Sequence, residues 1–363
     1  MKFPDLEYIT WAKSLPPVAI NLARSGIDHC PPSLLRLKAS DLVVTLPVKY
    51  GYAPLREAIA ARYGVTSERV FPMSGGTSFA NWLACAALLD GCGRGSEVIV
   101  ERPTYEPLLR IPQALGHRVR RFERRFADDY AVDLDGFAAL VTAKTRLAIV
   151  TNLHNPSGAR IPMATLRAMA SLLARVNAYL LVDEVYLECV FRNRAESCVH
   201  AGANVITTNS LTKAYGLDGL RAGWMLGPPR LIARAGRIND LMTNNSVAAG
   251  ERMALAAFRR LRDIDRRAHA LLDPNLARLR AFLAREPRLR GWVPEGGNVA
   301  CPQLPSAIDS DRLVRHLAKR YSTLVVPGRF FEMSRHIRVS FGCRPSLLTR
   351  GVANISRVLD DLA

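Results

Sequence analysis

The sequence predicts an α/β protein built on a mostly parallel sheet, with a smaller α/β unit toward its C-terminal end. Short apolar runs at 97–100, 146–150 and 179–182 are separated by stretches with helical periodicity. This alternation is typical of βαβ units, in which helices cover both faces of a parallel sheet. Polar turns follow these runs, and an open α/β sheet binds its ligand at the carboxyl ends of its strands.

The order of the elements divides the chain into three segments. Beyond Pro228 the pattern becomes dominated by helices, and a short α/β unit follows near the C-terminus. We therefore expect an N-terminal arm over residues 1–40, which packs partly with the small domain. A large domain is expected over residues 41–250 and a small C-terminal domain over residues 251–363.

The periodicity places the individual elements. Pro54, after the turn that begins at Tyr50, suits the first turn of a helix. In the large domain the expected helices are 55–63, 79–89, 108–115, 134–141 and 163–174. The expected strands are 70–73, 97–100, 118–122, 146–150, 179–182 and 205–208. In the small domain we expect strands at 298–304, 324–326 and 337–341, a helix at 311–320 and a helix after Pro345.

Composition limits the class of protein. Of 363 residues 49% are hydrophobic, which suits a globular protein with a sizeable core. No apolar run reaches the length of a membrane span, and the N-terminus lacks the apolar core of a signal peptide. A cytoplasmic protein without a membrane partner is therefore expected. The seven cysteines are scattered and include no Cys-x-x-Cys pair, which argues against disulfides and against a metal site.

A formal net charge of +18 raises the question of a nucleic-acid partner. The basic residues concentrate between 259 and 290, but Leu272, Leu276 and Leu279 recur there at helical spacing. A helix with a solvated basic face explains this pattern better than a nucleic-acid site does. No nucleic acid is therefore expected as a partner.

The stretch from Ser210 to Arg221 carries the most specific chemistry. Only seven of the fifty basic residues are lysines, and Lys213 lies here in a turn rich in glycine. An amine can lose its proton, attack a carbonyl and form a Schiff base, which a guanidinium cannot do. Ser210 and Arg221 supply a hydroxyl and a planar cation suited to a phosphate. Together these residues suggest pyridoxal 5'-phosphate (PLP), although a lysine near a turn is more often simply solvated.

Further motifs favour the cofactor. The chain contains the segments His154-Asn-Pro-Ser-Gly158, Asp183-Glu-Val-Tyr186, Ser210-x-x-Lys213 with Arg221, and Ile337-Arg338-Val-Ser-Phe-Gly342. In this order and at these spacings they resemble the class I/II aminotransferases of the fold-type I PLP enzymes. The resemblance extends over essentially the whole chain and implies that fold and that cofactor.

Four residues are expected around the cofactor ring. Asp183 ends a buried strand, where its charge needs a partner. The resemblance implies that a protonated pyridine nitrogen is that partner; a capping aspartate is the alternative. It also implies that Asn155 and Tyr186 hydrogen-bond the phenolic oxygen of the ring and that Tyr105 stacks on it. Otherwise these are a turn residue and two core aromatics.

The resemblance also implies a phosphate cup. Gly76 and Thr77 match its first part, and Ser210 and Arg221 complete it. A Gly-Gly-Thr turn at the start of a helix presents free backbone N–H groups and the positive end of the helix dipole to an anion. Ordinary helix capping is the alternative interpretation of this turn.

On the substrate side, the resemblance implies that Arg338 binds the α-carboxylate in a bidentate pair. Gly26 is expected near that carboxylate through its backbone N–H, and Asn155 also faces the substrate. Tyr50 matches a residue that reaches the phosphate of the neighbouring subunit. A homodimer is therefore expected, with the active site at the subunit boundary and the polar run 243–246 beside it.

The chain departs from the family pattern at two positions. Thr212 stands where serine is more usual before the lysine. Asn298 follows two glycines where an aromatic residue often lies beside the substrate, which weakens an assignment to aromatic substrates. Arg24 and Asn298 are candidate selectors of the substrate side chain.

The motifs favour an aminotransferase that moves an amino group between an L-amino acid and a 2-oxo acid through a Lys213 Schiff base. A PLP enzyme of the same fold that eliminates, decarboxylates, oxidises or cyclises its amino acid would use the same motifs. A transcriptional regulator with this fold is the third interpretation. Such regulators carry a winged-helix domain upstream, and the family match here begins within the first few dozen residues.

Overall fold

The computed structural model describes residues 3–43, 51–93, 95–191 and 196–363. The strands are β1 (Ile20–Asn21), β2 (Val70–Ser74), β3 (Glu97–Arg102), β4 (Arg118–Glu123), β5 (Thr145–Thr151), β6 (Tyr179–Asp183), β7 (Val205–Ser210), β8 (Ala222–Leu226), β9 (Val299–Ala300), β10 (Thr323–Leu324), β11 (Val326–Pro327) and β12 (Ile337–Ser340). The helices are α1 (Glu7–Lys13), α2 (Ala53–Tyr63), α3 (Gly76–Leu89), α4 (Glu106–Ala114), α5 (Leu134–Leu140), α6 (Met163–Ala174), α7 (Pro229–Asp240), α8 (Ala248–Arg259), α9 (Leu261–Arg285), α10 (Ser310–Tyr321) and α11 (Pro345–Leu362). Tyr50, expected to reach a neighbouring subunit, lies outside the described residues.

The central sheet has seven strands in the order β2-β8-β7-β6-β5-β3-β4. Neighbouring strands are parallel except that β8 runs antiparallel to both β2 and β7. The predicted mostly parallel α/β sheet is therefore confirmed. The strand β8 was not predicted, since glycine is unfavourable inside a strand. Gly223 is nevertheless needed there, because a Cβ at this position would lie 2.7 Å from the carbonyl carbon of Gly76.

Helices cover both faces of this sheet, as the alternating pattern predicts. On one face Leu83 of α3 and Leu231 of α7 pack against the strands. On the other face Phe137 of α5, with Leu166 and Met169 of α6, forms a second cluster. Burying each large apolar side chain stabilises the fold by about 1.5–3 kcal/mol. The sheet therefore holds the ends of its strands rigidly, and the candidate site lies at those ends.

The N-terminal segment packs with elements from the C-terminal part of the chain. Strand β1 pairs in parallel with β10, and β11, β12 and β9 form a separate antiparallel sheet. In α1 the ring of Tyr8 packs against Phe330 and Phe331, with ring centroids 5.6 and 5.8 Å apart. The carboxylate of Glu106 accepts hydrogen bonds from the backbone N–H groups of Glu7 and Tyr8. These contacts place α1 beside the candidate site.

The basic segment forms the amphipathic helix α9, as predicted. Most of its large apolar side chains are buried, among them Ile264, Leu272 and Leu279, while Arg262 and Arg266 are exposed. The spacing of the arginines thus reflects a solvated helix face. In the described part of the chain, no helix has the combination of length and apolar composition that crossing a membrane requires.

Candidate active site

A cavity of about 250 Å3 opens at the carboxyl edge of the central sheet. Most of the residues that the sequence predicts to bind the cofactor and the substrate line this cavity. Those lining it are Thr77, Tyr105, Asn155, Asp183, Tyr186, Ser210, Lys213, Arg221 and Arg338. Gly26 lines an adjoining cavity that shares Lys213 and Arg221 with the first. Gly76 lies directly beside the Arg221 guanidinium.

Lys213 follows β7 in the loop that leads to β8. Its side chain is half-buried, and its Nζ donates a hydrogen bond to Ser25 Oγ at 2.5 Å. Burial lowers the pKa of Lys213 to about 8, and the nearby Arg338 guanidinium lowers it further while Asp218 and Asp183 oppose the shift. A substantial fraction of this amine is therefore neutral near physiological pH, which is the nucleophilic form.

Asp183 ends β6 with its carboxylate facing the cavity. Burial raises its pKa to about 6, although hydrogen bonds from Asn81 Nδ2 at 2.7 Å and from the Val185 N–H at 3.0 Å oppose the rise. Asn81 is itself fixed, because its Oδ1 accepts a hydrogen bond from Thr208 Oγ1 at 2.5 Å. The carboxylate is thus held in one orientation, where a cationic ring nitrogen would stabilise its charge.

The predicted phosphate cup lies at the start of α3. Thr77 Oγ1 donates to Ser210 Oγ at 2.8 Å, so the two hydroxyls lie side by side. Arg221, in the left-handed conformation with φ +49°, donates from Nη2 to the Gly75 carbonyl at 2.7 Å. Two of the backbone N–H groups expected to be free are already used, because those of Gly75 and Gly76 both donate to the Arg221 carbonyl.

Two features of this cup fit a phosphate group. The hydroxyl of Thr212 is buried and has no hydrogen-bond partner in the described part of the chain. A Cβ on Gly76 would lie 3.3 Å from that hydroxyl and 3.2 Å from Arg221 Nη2, so the absence of a side chain keeps the space open. An unsatisfied buried hydroxyl beside a cation is stabilised when an anionic oxygen accepts its hydrogen bond.

Three further predicted residues, Tyr105, Asn155 and Tyr186, line the same cavity. Burial raises the pKa of Tyr105 and the pKa of Tyr186 well above their usual value, so both phenols stay protonated. The ring of Tyr105 meets that of Tyr8 edge to face, with centroids 5.9 Å apart. Asn155 Oδ1 accepts a hydrogen bond from Arg338 Nη1 at 3.1 Å, which joins the expected cofactor and substrate sides.

Arg338 is a fully buried cation, and its hydrogen-bond acceptors among the described residues are all neutral. Besides Asn155, it donates from Nη2 to the Tyr8 hydroxyl at 2.9 Å and to the Ala23 carbonyl at 3.1 Å. Its Nε has no partner. Arg124, also fully buried, is instead paired with the Glu101 carboxylate at 2.8 Å. A buried charge is costly unless an opposite charge compensates it, so Arg338 is suited to an anionic ligand.

Sequence reasoning missed three residues at this site: Tyr8, Ser25 and Asn81. Only Asn81 carried a local signal, since it lies one helical turn after Thr77 and therefore on the same face of α3. Tyr8 and Ser25 come from the N-terminal segment, where no motif marks them.

The two candidate selectors lie in different surroundings. Asn298 is fully buried and donates from Nδ2 to the Ser25 carbonyl at 2.8 Å. Arg24 is exposed and donates to His29 Nε2 at 2.8 Å, while His29 Nδ1 bonds to Asp218 Oδ1 at 3.1 Å. Asn298 therefore acts on the backbone beside Lys213, and Arg24 lies in a polar cluster at the rim of the adjoining cavity.

Comparison with known proteins agrees with this geometry. The family model described as aminotransferase class I and II matches residues 29–355. Capreomycidine synthase from Streptomyces vinaceus is 34% identical over 84% of this chain and 78% of its own length. Arginine–pyruvate transaminase from Pseudomonas aeruginosa is 29% identical over 80% of this chain and 76% of its own length.

Solved structures give the same result for the fold. A PLP-dependent aminotransferase from Streptococcus suis superposes with a TM-score of 0.92 at 23% identity, covering 100% of this chain and 99% of the other. The PLP-dependent cyclase OrfR superposes with a TM-score of 0.89 at 29% identity, covering 100% and 98%. The expected fold type and the expected PLP cofactor are thus confirmed, and the chain belongs to the class I and II aminotransferase family of fold-type I PLP enzymes.

Proposed function

We propose that this enzyme is an aminotransferase that moves an amino group between an L-amino acid and a 2-oxo acid. The observation that carries the proposal is the uncompensated buried cation of Arg338 in the same cavity as the amine of Lys213. Both substrates of a transaminase carry a carboxylate next to the reacting carbon. A cation that lacks an anionic partner, placed beside a reactive amine, suits that requirement.

The described residues divide between the cofactor and the substrate. Thr77, Ser210, Thr212 and Arg221 would hold the phosphate, and Asp183 would pair with the ring nitrogen. Tyr105 would stack on the ring, while Asn155 and Tyr186 would hydrogen-bond its phenolic oxygen. When bound, PLP withdraws electrons from the substrate Cα and so weakens its bonds.

On the substrate side, Arg338 binds and orients the α-carboxylate, with Gly26 and Asn155 beside it. Arg338 and Lys213 line the same cavity, so a substrate held by its carboxylate would lie near the amine. The neutral Nζ of Lys213 would accept the Cα proton, and its ammonium form would donate a proton later in the same half-reaction. A pKa of about 8 suits both roles, because acid and base forms are populated near neutral pH.

Cyclisation of an amino acid is a second candidate function. Two comparisons favour it: the 34% identity with capreomycidine synthase and the 29% identity with the PLP-dependent cyclase OrfR. Such a reaction also begins with carboxylate binding and proton removal at Cα, so it would use Lys213 and Arg338 in the same way. It differs in needing no 2-oxo acid.

Product analysis separates the two functions. We expect the enzyme, given a panel of L-amino acids, to convert stoichiometric amounts only when pyruvate or 2-oxoglutarate is present, and to form the matching amino acid from that acceptor. Mass spectrometry of both products is the measurement. Conversion of an amino acid without any acceptor, at the same rate, would reject transamination and support cyclisation or another reaction at Cα.

We also propose that the enzyme is a homodimer. Leu241, Met242 and Val247 are exposed by 88%, 54% and 59%, around the polar run 243–246. The Val247 N–H donates to Ser74 Oγ at 3.2 Å, so this apolar surface adjoins the phosphate cup. Exposed apolar surface of this kind is characteristic of a subunit interface.

Replacing Leu241 by aspartate is therefore expected to shift the protein from dimer to monomer and to reduce turnover strongly. An unpaired carboxylate at the interface would cost about 2–5 kcal/mol of association energy. Light scattering after size-exclusion chromatography measures the oligomeric state. Phe3→Asp, which places the same charge on an exposed apolar residue of the arm, is the control. A wild-type monomer that keeps full activity on dilution would reject the dimer.

A further inference from the structure

Ser25 hydrogen-bonds the amine of Lys213, yet no motif marks it. Its Oγ accepts the hydrogen bond from Lys213 Nζ at 2.5 Å, and the same hydroxyl interacts with the side chain of Tyr186. Ser25 therefore lies between the reactive amine and a residue expected at the phenolic oxygen of the cofactor. It lines both the main cavity and the adjoining one.

The backbone that carries Ser25 is fixed from several sides. Asn298 Nδ2 donates to the Ser25 carbonyl at 2.8 Å, and Asn298 is fully buried. The Ile27 N–H donates to the Lys213 carbonyl at 3.1 Å. A Cβ on Gly26 would lie 3.4 Å from the Thr212 carbonyl oxygen, so the two segments are in close contact. Ser25 and Lys213 are thus attached to one rigid unit.

A lysine side chain is a flexible four-carbon chain, and fixing it in one conformation costs about 2 kcal/mol of rotamer entropy. Such a chain does not hold its amine in one place unless a partner fixes it. The reaction requires the amine to lie within about 3–3.5 Å of the atom it attacks or deprotonates. Burial makes the Lys213 amine reactive, but it does not select its position.

We propose that Ser25 is a positioning residue that holds the Lys213 amine in its reactive orientation, and that Asn298 supports it by fixing the Ser25 backbone. The inference rests on the proposed role of Lys213 as the reactive lysine. In this proposal Asn298 supports Ser25, whereas the sequence alone suggests it as a candidate selector of the substrate side chain. It applies equally to transamination and to cyclisation.

The direct test is the rate at which the full-length apoprotein attaches PLP. In this reaction Nζ bonds to the aldehyde carbon and one water is released, and borohydride trapping followed by mass spectrometry counts the product. A pH of about 9.5, above the Lys213 pKa of about 8, keeps the amine neutral in all variants. Differences in rate then report the position of the amine rather than its ionisation.

Ser25→Ala is expected to slow attachment about three- to tenfold, because the amine loses its hydrogen-bond acceptor. Ser25→Thr, which keeps the hydroxyl, should restore the rate. Noncovalent PLP retention and the unfolding temperature should not change. In the holoenzyme, kcat should fall by a similar factor with little change in KM. Ser96→Ala, which removes a hydroxyl that donates to the Gly93 carbonyl in an exposed loop, is the matched control.

A double-mutant cycle tests the supporting role of Asn298. Asn298→Ala should slow attachment less than Ser25→Ala does, and the double variant should be no slower than Ser25→Ala alone, because both act through one hydroxyl. Equal attachment rates in the wild type, Ser25→Ala and Ser96→Ala would overturn the inference. The inference would also be overturned if Ser25→Ala attached PLP slowly and Ser25→Thr attached it equally slowly. If the wild type itself formed no reducible linkage at Lys213, the proposed function would fail instead.

Discussion

Replacement of Lys213 by alanine is expected to remove covalent cofactor binding and to reduce turnover by at least about three orders of magnitude. In the proposed function this amine both attaches PLP and moves the Cα proton, so one substitution removes both roles. The variant should still fold and should retain PLP through the phosphate cup and Asp183. Its spectrum should lack the visible absorption of covalently held cofactor.

Borohydride reduction of the wild type, followed by peptide mapping, identifies the attached residue directly. Lys144→Ala, which removes an exposed amine, is the matched control and should behave like the wild type. Lys13, Lys38 and Lys319 are other described lysines, but none of them lines the cavity. A reduced pyridoxyl group on any of these lysines, or on Lys144, would overturn the assignment and with it the proposed roles of the neighbouring residues.

The site was predictable where it depends on strand ends. Asp183 and Ser210 end neighbouring parallel strands, and Lys213 follows three residues after Ser210. The carboxyl ends of parallel strands meet at one edge whatever the loops do, so short apolar runs followed by polar residues locate the site. The helix Met163–Ala174 was likewise predicted to the residue, because its apolar spacing is unbroken.

The features of the site that were not predicted depend on contacts between distant parts of the chain. Tyr8 lies at the cavity through its contacts with Phe330, Phe331 and Glu106. Ser25 follows β1, which pairs with β10 near the opposite end of the sequence. No local periodicity encodes these contacts. The phosphate cup also depends on such a contact, because the Arg221 carbonyl accepts hydrogen bonds from the N–H groups of Gly75 and Gly76. Only the folded backbone shows that these donors are already used and that the Thr212 hydroxyl is free.

Replacement of Arg338 by alanine is expected to lower kcat/KM by about 100-fold, equivalent to about 2.7 kcal/mol, mainly through weaker amino acid binding. The α-carboxylate would then enter a buried site without its cation. PLP should stay bound, because the phosphate cup and Asp183 do not depend on Arg338. Steady-state kinetics and the cofactor absorbance of the purified variant measure the two effects separately.

Lysine at position 338 should restore little, because an ammonium group cannot reproduce the planar pair of donors that a carboxylate accepts. Tyr8→Phe is the matched control. It removes one neutral acceptor of Arg338 at 2.9 Å but leaves the guanidinium in place, so its effect on kcat/KM should be less than about tenfold. If Arg338→Ala matched Tyr8→Phe in KM, the carboxylate would bind elsewhere, and the uncompensated charge of Arg338 would need a different ligand.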